Sequence, residues 1–451
     1  MRFKVLLTVI LIMLGGGLTV LLNGTGSNAT LYQSEGVLID FGNYNTVWTD
    51  VDFQTTTQPM ELLDHACTSN SYTYTVNDSG KVVEINGVSD TTDSSWGLWH
   101  VAKGEYDAVR SESYDIDASD YTIVIWAYTS ESGVPAVAVD ATATSIYGYP
   151  QSDSTVTLSP VCTEIVGAVG ASNTVVGTDS FSNYPTRIKE GHESGTISIV
   201  GTYTDPSYES ILKLSPSMVI CDGSQYNHVQ MAKTVRNSSI NAVVIYDAES
   251  VDIVLKNIFI VGKAMNYDLA ALNAISELSS AVGKLKSLVS SESAIDTMIA
   301  LSADPSPFVS GTSTYANDIL VSMAGSNVFD FLSGWKNINS EYILDSNPSV
   351  IIIISEASYY SENNGSYERM LDQLSEQWKK TDAYKNGQIY LLCEDLGELA
   401  QRAGPRFAQF EEIVGRILHP EAFEDGTVLP KCIGNSYTSY LTITKSLGFD
   451  T

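Results

Sequence analysis

Glu209-Ser-Ile-Leu-Lys-Leu-Ser-Pro-Ser-Met-Val-Ile220 reads as a short helix, a Ser-Pro turn and a buried strand. Ile338-Asn-Ser-Glu-Tyr-Ile-Leu-Asp-Ser-Asn-Pro348, which leads into the all-apolar run 350–354, gives the same order a second time. A proline after the Ile-Leu pair ends the helix, because the residue before proline is steered away from helical backbone. A strand apolar on both faces is one covered on both sides, as in parallel sheets. Outward from these stretches, short apolar strands alternate with amphipathic helices from residue 152 onward: strands at 155–158, 174–177 and 242–246, and a helix starting at 163–169. Residues 250–290 then hold a helical pattern with Leu269, Leu272, Ile275, Leu278, Val282 and Leu285 three or four apart. The alternation resumes through 298–301, 316–323 and 389–392, and a last helix spans 404–418. The expected fold class is α/β: two Rossmann-like lobes (152–250 and 293–424 of a domain at 147–424) joined by one long α-helix over 250–292. Residues 425–451 form a C-terminal tail of undefined structure.

Residues 31–146 have a different texture. Residues 37–41 and 72–76 alternate, 121–128 is β-branched and aromatic, and turn signals such as Asn86-Gly87 separate the strands. One helix is expected, at 59–66. The reading is a small α+β, β-grasp-like domain preceding the lobes. Before it, Arg2 and Lys4 precede an apolar stretch from Leu6 to Leu22. That pattern reads as a signal peptide over residues 1–30, or as a retained membrane anchor, since spanning needs roughly 17–25 residues. No cysteine follows it directly, which excludes a bacterial-type lipid anchor. Sequons at Asn23, Asn28, Asn77, Asn237 and Asn364 fit an exported, surface-exposed glycoprotein. The expected location is extracytoplasmic.

Acidic residues outnumber basic ones 53 to 24, for a formal charge of −29, so nucleic acid is excluded as a partner. The five cysteines make no zinc pattern, although one or two disulfides remain open. The five histidines are scattered; His192 and His228 fall near first-lobe loops, as solvated residues or as ligands to a bound metal chelate. Glu394, Asp395 and Glu398 follow a strand and read as a cleft rim or helix start. GxGxxG, P-loop, HExxH and GxSxG motifs are missing, which argues against an enzyme. No catalytic residue, resident cofactor or metal site is assigned.

Ligands of open parallel sheets bind beyond the carboxyl ends of the strands. Ser159, Tyr184, Tyr203 and Tyr226 in the first half, and Ser310 and Trp335 in the second, fall in such loops. The aromatics supply pocket walls, and Arg402 and Arg406 can meet an acidic ligand group. The plainer alternatives are core packing for the aromatics and structural ion pairs for the arginines.

The order Thr157-Leu-Ser-Pro-Val-Cys-Thr-Glu-Ile165, Val176-Gly-Thr-Asp-Ser-Phe-Ser-Asn-Tyr-Pro185, Val200-Gly-Thr-Tyr203, Phe308-Val-Ser-Gly-Thr312, Ala324-Gly-Ser-Asn-Val-Phe329 and Arg402-Ala-Gly-Pro-Arg406, with the two opening stretches, covers residues 152–424. It resembles the substrate-binding proteins of ABC importers for cobalamin, siderophores and haem. The resemblance implies capture of such a ligand between two lobes and delivery to an ABC permease with its ATPase. It also implies that Glu209 and Glu341, in matching contexts, dock onto permease arginines. Val37-Leu-Ile-Asp-Phe41, Val83-Glu-Ile-Asn-Gly87, Trp96-Gly-Leu-Trp99 and Tyr121-Thr-Ile-Val-Ile-Trp126 are similar, more faintly, to the C-terminal β-domain of transcobalamin and intrinsic factor. That likeness tilts the expected ligand toward a corrinoid, with a ferric siderophore or haem as alternatives. The extra domain also leaves open a surface sensor or adhesion protein that kept the fold without transport.

Overall fold

The computed structural model describes residues 35–53, 58–102, 108–137, 151–303, 307–355 and 360–447. The expected signal or anchor and two of the five sequons lie outside them. The sequons at Asn77, Asn237 and Asn364 are all exposed. Among the described residues no helix is long and apolar enough to cross a membrane.

The N-terminal domain is built on a five-stranded sheet. Gly36–Asp40 and Tyr121–Thr129 lie side by side and parallel at its centre. Thr46–Asp50 flanks the first, and Ser95–Ala102 with Val109–Arg110 flanks the second, all antiparallel. Pro59–Asn70 is its helix. Two central parallel strands with antiparallel edges and one covering helix are the β-grasp arrangement the sequence led us to expect. Alternation sends Val37, Ile39, Trp96, Leu98, Val124 and Trp126 to the helix side, where Leu62, Leu63 and Ala66 meet them. All of these are buried, so Trp96 and Trp126 are core. Trp99 is buried on the opposite face with Leu38 and Ile125.

Lobe one carries five parallel strands in the order Ser198–Ile199, Val175–Thr178, Thr155–Thr157, Met218–Asp222 and Asn241–Ile245. The order reverses direction between Thr155–Thr157 and Met218–Asp222, so a crevice opens there beyond the strand ends. In lobe two, Ile295–Ser302, Val350–Ile354, Ile389–Leu392 and Cys432–Ile433 are parallel neighbours. Phe308–Ser310 and Trp335–Asn337 add an antiparallel edge. The expectation of two α/β lobes preceded by a small α+β domain therefore holds.

Two boundaries differ from expectation. The single helical pattern over 250–292 is two helices, Val251–Met265 and Asp268–Val289. Asn266 ends the first with φ at 62°, the left-handed conformation asparagine tolerates, and the Tyr267 N–H returns to the Gly262 carbonyl. The spacing read from Leu269 to Leu285 lies entirely within the second helix, where Ile275, Leu278, Val282 and Leu285 are buried and Leu269 and Leu272 are exposed. Residues 425–447 of the tail belong to lobe two. Cys432–Ile433 extends its sheet, and the Glu412 carboxylate accepts the backbone N–H groups of Thr442, Ile443 and Thr444. Arg416, with no exposed side-chain surface, holds Asp425 with two hydrogen bonds of 2.8 and 3.0 Å.

The N-terminal domain rests on helix Val251–Met265. The Tyr44 ring lies 5.5 Å from Phe259. A cavity of about 340 Å³ lies beside that contact, lined in part by Asp40, Tyr128, Asp252 and Lys256.

Candidate functional site

The two stretches that opened the sequence reading fold alike. Tyr208–Leu214 and Ser340–Ser346 are both seven-residue helices with Glu209 and Glu341 in the first turn. Ser207 caps one through the Ser210 N–H, and Asn339 caps the other through the Glu341 N–H. Ile211 and Ile343 anchor them with no exposed surface. Ser215 and Asn347 end them in left-handed backbone, at φ of 47° and 40°. The next turns are tied identically, Ser217 N to Ser154 O and Ser349 N to Asp296 O, both at 2.8 Å. Each lobe thus presents one exposed carboxylate on a rigid, capped helix turn.

The first-lobe crevice is walled by Tyr203. Its hydroxyl lies 3.0 Å from Ser224 Oγ and accepts from Gln225 Nε2 at 2.9 Å. Burial pushes the phenol up to about 12, so it stays protonated. Its ring packs edge-on against His228, centroids 5.7 Å apart. His228 is fully buried and both ring nitrogens are engaged. Nδ1 accepts from the Asp222 N–H at 3.2 Å, and Nε2 donates to the Tyr203 carbonyl at 2.7 Å. Burial lowers its pKa, so this histidine is a neutral brace behind Tyr203, neither a solvated loop residue nor a metal ligand. His192 Nε2 lies 2.8 Å from the Thr178 hydroxyl, which itself donates to the Asp179 carbonyl. Tyr226 starts helix Tyr226–Asn237 with 75% of its surface open.

On lobe two, Trp335 is half-buried, opposite Ser310 on the neighbouring strand and 5.9 Å from the Phe308 ring. Phe331 stands exposed in the loop whose Leu332 carbonyl accepts the Thr312 N–H. Phe181 is exposed in lobe one, in the loop that reaches lobe two through its own carbonyl. Sequence reasoning missed Phe181 and Phe331. The available signal was an aromatic in a Ser/Asn-rich loop, next to residues already singled out.

Four expected ligand residues are committed to the fold. Ser159 and Ser310 are buried. Ser159 caps helix Pro160–Ala168 through the Cys162 N–H, and the Ser310 hydroxyl pairs with Thr314 at 2.6 Å. A short polar residue just after a strand serves the next backbone turn before it can serve a ligand. Arg406 reaches across the lobes to Glu164 of helix Pro160–Ala168, Nη2 to Oε1 at 2.6 Å and Nε to Oε2 at 3.0 Å, with its guanidinium 4.1 Å from the Tyr184 ring centroid. Arg402 joins Glu164 Oε1 at 3.3 Å, Asn183 Oδ1 at 2.7 Å, the Phe181 carbonyl at 3.3 Å and Glu398 Oε2 at 2.9 Å. Asn183 also donates to Glu398 at 2.7 Å. The two arginines are an interlobe lock, the structural alternative weighed for them, and are not free to meet a ligand acid. Burial pushes the Glu164 carboxyl up, but the two guanidiniums outweigh it and hold it below the ordinary range. Glu164 escaped the sequence reading, although a lone acid inside the apolar run Val161–Val169 has to find a buried cation.

Against known proteins, the profile of the periplasmic binding protein family matches residues 156–396. An uncharacterized ABC transporter substrate-binding lipoprotein of Bacillus subtilis is 23% identical over 60% of this chain and 81% of its own length. The vitamin B12-binding protein of Pectobacterium carotovorum is 22% identical over 47% of this chain and 73% of its own. Among solved structures, a possible iron-binding, periplasmic solute-binding protein of Staphylococcus epidermidis superposes with a TM-score of 0.51 at 22% identity, covering 60% of this chain and 99% of that one. A periplasmic haem-binding protein of Roseiflexus superposes at 0.50 with 20% identity, covering 60% and 100%. The matches fall on the two lobes, whose strand order, paired glutamate helices and cleft were derived above. The chain belongs to the periplasmic binding protein family.

Proposed function

We propose that this protein is the extracytoplasmic substrate-binding component of an ABC importer and that its ligand is a corrinoid. Tyr184, Tyr203, Tyr226 and Trp335 are proposed as flat apolar walls for a large planar chelate between the lobes, with the exposed Phe181 and Phe331 as further candidates. The observation that carries the ligand choice is the commitment of Arg402 and Arg406 to Glu164. Haem and many ferric siderophores bring carboxylates or other anionic groups that need a partner, whereas a corrinoid ring bears neutral amide side chains. The likeness of the N-terminal domain to a cobalamin-carrier domain and the B12-binding relative point the same way. Glu209 and Glu341 are proposed to meet cations of the permease, two exposed charges fixing orientation at two points.

The test is calorimetric titration of the chain from residue 31 onward with cyanocobalamin, with haem and a ferric siderophore as controls. One-to-one cobalamin binding is expected. Binding of an iron chelate alone overturns the corrinoid assignment and keeps the importer. Silence with all three favours the sensor or adhesion reading.

A further inference from the structure

Strand Ile389–Leu392 runs parallel to Cys432–Ile433, with Leu391 opposite Cys432 and Leu392 opposite Ile433. Side chains alternate along a strand, so Cys393 returns to the face of Leu391 and therefore of Cys432. The two Sγ atoms lie 3.7 Å apart. The backbone beneath them is held by Leu391 N to Lys431 O at 2.8 Å and Cys393 N to Ile433 O at 2.9 Å, and closing the bond brings the sulfurs to the disulfide length of about 2.05 Å. Cys393 is fully buried and Cys432 only partly so, which makes Cys432 the more accessible of the two to an oxidant. Cys393 also stands at the N-cap of helix Glu394–Gln401, whose Glu398 joins the interlobe lock.

We propose that Cys393 and Cys432 form a disulfide that staples the C-terminal segment to the base of the helix carrying Glu398. Extracytoplasmic proteins fold in oxidising surroundings where such a bond persists. The oxidant class is a disulfide, either of a thiol–disulfide oxidoreductase or of a small molecule such as oxidised glutathione. The Cys432 thiolate attacks one of its sulfurs, forming a mixed disulfide and expelling one thiolate. The Cys393 thiolate then attacks Cys432 Sγ, closing the bond and expelling the second thiolate. Two electrons pass to the oxidant, which leaves as two thiols carrying the two protons. Cys432 is the natural first nucleophile: it is the more exposed thiol and its contact with Cys393 draws its pKa down, while the same contact and burial push the Cys393 thiol up.

The experiment is peptide mass mapping of the purified full chain, alkylated without reduction after incubation with oxidised glutathione. The expected product is a Cys393–Cys432 cross-linked peptide, two hydrogens lighter than the sum of its parts and split by dithiothreitol. Reduction should also lower the melting temperature by about 5–10 °C, and Cys432→Ser should show the lower value with no response to reductant. Alkylation of both thiols after oxidation, or pairing of either with a different cysteine, overturns the proposal. The mapping is done on the wild-type chain, so it stands even if the variant fails to fold.

Discussion

Arg406 of lobe two and Glu164 of lobe one form a two-pronged ion pair with 7% and 1% of their side-chain surfaces exposed. The pair ties lobe two directly to helix Pro160–Ala168 of lobe one. A buried ion pair roughly balances desolvation against attraction, but removing one member strands the other. Glu164→Gln leaves two guanidiniums facing a neutral amide. We expect a loss of about 3–5 kcal/mol, read from urea unfolding at pH 7. An unchanged midpoint means that Arg402 and Arg406 find other partners.

The same pair sets acid sensitivity. The folded state holds the Glu164 carboxyl below its unfolded value of 4.5. Its stabilisation is therefore present above that value and is lost as pH falls through the lower folded one. Unfolding midpoints measured from pH 6 down to pH 3 should drop less steeply for Glu164→Gln than for wild type.

Glu411 behaves oppositely. It is buried, its Oε1 is hydrogen-bonded by the Ser322 hydroxyl, and its Oε2 has no partner. Burial pushes its pKa up to about 7, with the Ser322 bond opposing. A raised folded pKa gives stability that is full below the unfolded value and fades as pH rises through about 7. Glu411→Gln should be more stable than wild type at pH 8 by about 1–3 kcal/mol and lose that advantage by pH 4. Parallel denaturation curves at the two pH values check the crossover.

Tyr226 is open enough that truncation leaves folding alone. Tyr226→Ala should keep the wild-type melting temperature and weaken cobalamin binding about tenfold, whereas a surface position such as Tyr342→Ala should weaken neither. Equal affinity for wild type and Tyr226→Ala removes this ring from the ligand wall.

Glu209→Ala combined with Glu341→Ala should abolish uptake in vesicles containing the cognate permease and leave ligand affinity within about twofold. Undiminished uptake sinks the docking role. Each single variant is expected to retain partial transport, since one anchoring point survives.

The lobes were legible because their strands are apolar on both faces and their helix ends are marked by proline. The seven-residue helix Tyr208–Leu214 and the strand Val350–Ile354 lie where the residues place them. The helix break was not legible: the spacing that signalled a helix, Leu269 to Leu285, belongs to the second helix alone, and the apolar run before Asn266 gives no sign of a stop. Nor were the partners of Arg402 and Arg406, because Glu164 lies 238 and 242 residues away and only the assembled lobes bring them together. Ser159 and Ser310 mislead for a related reason: Ser159 caps the following helix, and Ser310 bonds Thr314, which caps helix Tyr315–Ser322 through the Asn317 N–H, so turn building and ligand contact ask for the same short hydroxyls. The C-terminal segment escaped because its order comes from Glu412 gripping its backbone, which leaves little trace in the segment's own side chains.

Gly262 gives the break at Asn266 a mechanical meaning. A Cβ built there would lie 2.3 Å from the Cβ of Ala271 on the second helix. The spine between the lobes is thus an elbow whose two arms touch through a hydrogen atom, and its angle is set by that smallest of side chains. An alanine at 262 is a wedge driven into the joint. It would reset the resting gap between the lobes from behind, without altering one atom of the cleft.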